Sequence, residues 1–178
     1  MANKGEYNLI NAVINQQKKH AYDRATARII SLLYKGNCGS LRCFLQFFYH
    51  SQIFYKLSLT ECYNETYSMA LNEVLHLDSL AKSLLSLGEN PVYYGYDGEC
   101  HSQFLLSSLP YTHTPKQMLL DDISLKMQMI KTYENSLKKI KAEEIREKIL
   151  RIKAEEELHL ERLKILLKKY KDGEFNER

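Results

Sequence analysis

The stretch SLTECYNETYSMALNEVLHLDSLAKSLLSLGENP, residues 58–91, decides the architecture. Cys62, Thr66, Met69, Glu73, His76, Leu80 and Leu87 fall on one line at helical spacing, the face a helix turns inward. Ser58 and Glu61 match a capping box, in which the hydroxyl and the carboxylate satisfy each other's orphan backbone amides. Gly88 just past the stripe and Pro91 beyond it mark the stop. The stripe covers one side only, so the rest of the chain must supply packing partners.

Three further helices follow by the same reading. From about Asp23, Ile30, Leu33, Asn37, Ser40, Phe44, Phe47, Ser51 and Phe54 recur at three- and four-residue steps; Gly36 and Gly39 allow a bend. Thr114 as N-cap, Pro115 at the first helical position and Gln117 at the box position open another helix. Its inward line is Leu119, Asp122, Lys126, Met129 or Ile130, Tyr133, Leu137 and Ile140. After a break near Lys141 the last helix carries Ile149, Ile152, Glu156, His159, Leu163, Leu166 and Tyr170 inward and ends at Gly173. Glu144–Lys148 and Glu147–Arg151 are i,i+4 pairs on its solvated side. The long connection over 89–113 reads as a crossover along a bundle rather than a hairpin. The expectation is an all-α four-helix bundle over 23–172, an N-terminal extension over 1–22 and a frayed tail over 173–178.

Composition narrows the function. The chain has 178 residues, 44% of them apolar and 26% charged, with seven Gly and three Pro, which suits long helices in a single domain. A net charge of +3 gives no footprint for nucleic acid, and no apolar run suggests a membrane span. The N-terminus lacks an apolar signal core, so a cytoplasmic location is expected. Cys38, Cys43, Cys62 and Cys100 form neither a zinc pattern nor a disulfide framework and read as reduced thiols.

Ionisable residues interrupt the apolar stripes at Glu73, His76, Asp122, Lys126, Glu156 and His159. Glu73-Val-Leu-His76 and Glu156-Glu-Leu-His159 are both Glu-x-x-His, which places carboxylate and imidazole one turn apart on one face, in reach of one metal. One such motif is weak evidence; two, each centred in an apolar stripe, are much stronger. His20, His50, His101 and His113 lack paired spacing and read as surface or loop histidines. Tyr93, Tyr94 and Tyr96 read as loop packing.

On these motifs, with Tyr34-Lys-Gly36 through Tyr49, Leu87-Gly88-Glu-Asn-Pro91 and Met118-Leu-Leu-Asp-Asp122-Ile123, residues 25–170 resemble the ferritin-like superfamily. The likeness is to the bacterioferritin and rubrerythrin kind. It implies a ferritin-like bundle with a long crossover between the second and third helices. It also implies a dimetal site of four carboxylates and two histidines. Glu73, His76, Glu156 and His159 match that set, but Ser40 and Lys126 stand where the other two carboxylates belong. Phe47 stands where a tyrosine is common.

Four carboxylates balance two divalent cations. Two carboxylates with one ammonium carry about −1, and two metals would leave roughly +3 in a low-dielectric interior. The reading is therefore a metal-free site in which Lys126 replaces the metals, bonded to Glu73 and Glu156, and no active ferroxidase. The protein's role is then structural or in interaction. The alternative is a metal-binding oxidoreductase or iron-handling protein, with one Fe, Mn or Zn ion on Glu73, His76, Glu156 and His159. Ferritin-like bundles usually associate, and the aromatic run over 44–55 exceeds what one inward stripe needs, so a homo-oligomer is expected. Nothing in the sequence names a protein partner.

Overall fold

The computed structural model describes residues 23–93, 109–112 and 114–175. Among them the chain is helical, with no strand: α1 Arg24–Lys35, α2 Ser40–Lys56, α3 Thr60–Ser86, α4 Pro115–Leu137 and α5 Glu143–Lys171. Residues 1–22, with His20, and the segments holding Tyr94, Tyr96, Cys100, His101 and His113 lie outside the described residues, as does most of the predicted crossover.

Asp23 caps α1 by accepting the Thr26 N–H at 3.1 Å. The single long helix expected from Asp23 is in fact two. Gly36 leaves α1 in extended backbone, and Gly39 turns back so that its N–H meets the Gly36 carbonyl at 2.9 Å. A Cβ on Gly36 would lie 2.4 Å from the Leu32 oxygen, and one on Gly39 2.8 Å from the Leu33 oxygen. Both approaches require glycine. The break also resets the helical phase. Asn37 is exposed rather than inward, Phe44 is half-buried, and Cys43, Gln46 and His50 take inward places beside Ser40, Phe47, Ser51 and Phe54.

The capping box predicted at Ser58 does not form. Helix α3 starts at Thr60 with Leu59 as a cap that makes no side-chain bond. Ser58 instead ends α2 in the left-handed region (φ 59°), its N–H on Tyr55 and the next N–H on Phe54, a Schellman stop built without glycine. Burial of Leu59 in the core outweighs the hydroxyl cap. Gly88 (φ 79°) closes α3 by the same motif, as the sequence indicated. At α4, Pro115 holds its expected place, but Thr114 makes no side-chain cap and Gln117 donates to Asp121 at 2.8 Å instead. The α4–α5 turn is tied by Arg146, which donates to the carbonyls of Leu137 and Ile140.

In packing, α2 lies along α3 and α4 along α5, while α3 touches α5 and α2 touches α4. The long helices therefore form a square with α3 and α4 on one diagonal. Helix α1 lies mainly over α3. The core is continuous from Ile30 and Leu33 through Phe47, Met69, Met129 and Ile149 to Leu163. The inward lines expected for α3 and α5 hold in full up to half-buried Tyr170. Cys43 and Cys62 are buried, Cys38 is half-buried, and all three are free thiols. Tyr93 stacks on Tyr34 with ring centroids 5.7 Å apart, a packing contact. No helix among the described residues is long and apolar enough to cross a membrane.

Candidate functional site

Helices α3 and α5 each turn a Glu-x-x-His pair inward, and α4 sends Lys126 between them. Glu73, Glu156 and Lys126 are fully buried, and His76 and His159 nearly so. The Lys126 ammonium donates to Glu73 Oε1 and to Glu156 Oε2. It also lies 4.8 Å from the centre of the Phe47 ring, an added cation–π contact. Phe47 thus closes the apolar side of the cluster.

His76 carries the second positive charge. Its Nδ1 faces Glu156 Oε1 at 2.9 Å and Glu73 Oε2 at 3.5 Å, and its Nε2 faces Glu155 Oε2 at 2.8 Å. Both ring nitrogens thus face carboxylate oxygens, surroundings that favour the imidazolium over a neutral ring. Burial presses its pKa down, but the contacts to Glu156 and Glu73 outweigh it and push it up to about 10. His159 differs. Its Nδ1 lies 3.4 Å from Glu156 Oε2, while its Nε2 meets the Asn72 amide at 3.1 Å, an arrangement a neutral ring satisfies.

The charges then close. Lys126 and His76 carry +2 against −2 on Glu73 and Glu156, and half-exposed Glu155 screens the outer nitrogen of His76. Burial favours the neutral form of each group, yet the pairing wins. Lys126 is held above its ordinary pKa by Glu156 and Glu73, and Glu156 is held well below the carboxylate range by Lys126 and the histidines. Glu73 Oε2, Glu156 Oε1 and His76 Nδ1 make ionic contacts without aligned hydrogen bonds. The cluster is held by charge as much as by direction.

Ser40, at the other lost carboxylate position, is buried but sits away from this network, its Oγ 3.5 Å from the Tyr133 hydroxyl. Tyr133 is fully buried, and burial together with the nearby carboxylates raises its pKa well above the usual value, so it stays a neutral phenol. Neutral Cys43, its Sγ 3.3 Å from Met129 Sδ, lines the same space. Sequence reasoning missed Asn72 and Glu155, which hold the outer nitrogens of the two histidines. Neither lies on the inward stripe, so helical periodicity had no reason to mark them.

His50 is the clear correction. Its lack of paired spacing predicts a surface or loop position, but it is fully buried. Its Nδ1 meets Asp122 Oδ1 at 2.8 Å, and its Nε2 meets the Pro110 carbonyl at 3.3 Å. Gln46 Nε2 donates to the same Asp122 oxygen at 2.8 Å. Two acceptors again mean an imidazolium. Burial lowers its pKa, but Asp122 raises it further. The spacing Cys43, Phe47, His50, Phe54 would have shown the inward position.

A native pKa above the unfolded value of ~6.5 gives stability that is whole below pH ~6.5 and declines as pH rises past it. Urea unfolding between pH 6 and 9 should show the gap between the wild type and a weaker His50→Gln variant narrowing as pH rises. A constant gap would mean that His50 is neutral in the native state.

No family model matches this sequence, and a search of curated proteins finds no match. The functional reading therefore rests on the site itself. Among the described residues, Glu73, His76 and Glu156 are the group whose ligand atoms lie close enough, within 4.8 Å of one another, to share a cation. A two-metal centre does not fit them, because the ammonium of Lys126 already contacts both carboxylates that would have to bridge. Two divalent ions added to a charge-neutral, buried cluster would bring about +4 uncompensated.

Proposed function

We propose that this protein is a ferritin-like bundle whose dimetal site has lost two carboxylates and whose centre is now an internal ion cluster, leaving a structural or interaction role. The observation that carries the reading is the Lys126 ammonium, fully buried and bonded to Glu156 of the adjacent α5 and to Glu73 of α3 across the bundle. The diagonal placement of α3 and α4 supports the same superfamily, since a crossover joins such helices more readily than a hairpin. With Lys126 and His76 both charged, the two carboxylates already have full counter-charge. Redox chemistry on dioxygen or peroxide has no pair of open bridging ligands here.

A second reading, a protein that holds one Fe, Mn or Zn ion on Glu73, His76, Glu156 and His159, draws on the closeness of the first three. It requires His76 to give up a proton and Lys126 to leave both glutamates.

Elemental analysis of protein purified without chelator tests the choice. The expected result is less than 0.1 equivalent, roughly, of Fe, Mn and Zn together, and ferrous iron that oxidises in air no faster than in buffer. One equivalent that survives dialysis would establish the second reading.

A further inference from the structure

A cavity of ≈ 290 Å³ opens between α2 and α4, and no residue of the ion cluster lines it. One end is made by Asn37 and Cys38, which the break at Gly36 and Gly39 brings there, by Arg42 one turn further on in α2, and by Gln128 of α4. The Cys38 thiol donates to Gln128 Oε1 at 3.5 Å, and the Arg42 guanidinium lies near enough for its charge to act on that thiol. Asp121 and Pro110 make the other end. Asp121 accepts from two neutral donors, Gln117 at 2.8 Å and Thr112 at 3.1 Å, neither of which offsets its charge. Between the ends the floor is Leu125 and Gln46, both buried. Gln46 gives its amide N–H to Asp122, and among the described residues no donor meets its carbonyl oxygen. A polar atom so deeply placed on a cavity wall calls for a donor from within the cavity.

We propose that this cavity binds a linear ω-amino carboxylate, a short methylene chain with an ammonium at one end and a carboxylate at the other; free lysine, with its side-chain ammonium, has this shape. The order of the wall selects the class. Asp121 and Gln128 are seven residues apart on α4, ~10 Å along the helix, with Leu125 between them. Carboxylate, apolar floor and guanidinium therefore follow one another along the cavity. The ligand ammonium lies on Asp121 and on the Gln46 carbonyl oxygen, its methylenes on Leu125, and its carboxylate on Arg42 and the Asn37 amide. Arg42 carries five N–H donors, so it holds a carboxylate alongside its other contacts. A simple anion would be set against Asp121 and a simple cation against Arg42, whereas a molecule with both charges meets an opposite charge at each end.

Size narrows the class further. The volume is at the small end of ligand sites and holds about ten non-hydrogen atoms at ~30 Å³ each. In free alanine the two charges sit only ~3 Å apart, too close to meet both ends. A six-carbon chain sets them ~7 Å apart, and a hydrogen bond of ~2.8 Å at each end completes the span. The inference stands apart from the reading of the ion cluster, with which it shares no residue.

Isothermal titration calorimetry of the full chain at pH 7 with 6-aminohexanoate tests it. The expected Kd is below about 1 mM, with hexanoate, hexylamine and free alanine each weaker by roughly ten-fold or more, the worth of one charged contact. Arg42→Gln and Asp121→Asn should each cost a similar factor while helical circular dichroism stays unchanged, and Lys148→Gln on α5 should bind as the wild type does. The position is read without any variant: bound ligand should slow iodoacetamide alkylation of Cys38, followed by mass spectrometry of that peptide. No binding of 6-aminohexanoate at about 10 mM, or binding that leaves Cys38 alkylation unchanged, would overturn the inference. So would hexanoate or alanine binding as tightly, which would mean an anion site or a site too short for the two-ended ligand.

Discussion

Lys126→Met should destabilise the protein by ~3–5 kcal/mol, because it leaves Glu73 and Glu156 buried with one counter-charge, His76, between them. The side chains are of similar length, so lost charge rather than lost volume carries the effect. That distinction is testable. Lys126→Met combined with Glu73→Gln removes one charge of each sign, and a buried ion pair replaced as a pair costs far less than one broken from one side. The double variant should therefore be more stable than Lys126→Met alone, measured by urea unfolding at pH 7. A loss under about 1 kcal/mol for Lys126→Met would mean the ammonium is solvated in solution.

The second large effect is restoration of metal binding. Ser40 and Lys126 are both buried, on α2 and α4, Lys126 against the two glutamates and Ser40 against Tyr133. Ser40→Glu with Lys126→Glu would return four carboxylates and two histidines. Without metal this variant should melt below the wild type, since like charges crowd the core and raise one another's pKa. The added bulk at Ser40, packed near Tyr133, works in the same direction. With ferrous, manganous or zinc ions it should regain stability, by ~4 kcal/mol when free metal exceeds the dissociation constant a thousand-fold. The wild type, melted with the same ions, should not shift. A shift of the wild type as large as the variant's would show that Glu73, His76, Glu156 and His159 already bind metal and that Lys126 moves aside.

The helices themselves were legible from residue order. Periodicity fixed the inward lines of α3, α4 and α5, because a helix that turns an apolar stripe inward places every third or fourth residue on it whatever it packs against. The same lines exposed Glu73, His76, Lys126, Glu156 and His159 as polar residues in a buried register, and the structure brings these five together. Chain stops at Gly88 and Gly173 were equally local, since the left-handed turn belongs to the residue itself.

What failed depended on close approach and packing that residue order does not display. The glycines at 36 and 39 signalled a bend, but only the close approach of the Leu32 and Leu33 carbonyls makes it a full break with a reset of phase. A capping box at Ser58 is favourable by itself, and it yielded to burial of Leu59, a tertiary gain. His50 carries no mark of its partner, since Asp122 is brought to it by packing of α2 on α4. The protonation of His76 was likewise out of reach. An i,i+3 glutamate alone does not settle it, and the second proton is held by Glu156 and Glu155 from a helix almost eighty residues away. Sequence determined that Glu73, His76, Lys126, Glu156 and His159 lie in a buried register and that charge among them must balance. The tertiary structure decided how it balances, because only packing sets the few ångströms over which a buried ion finds its counter-charge.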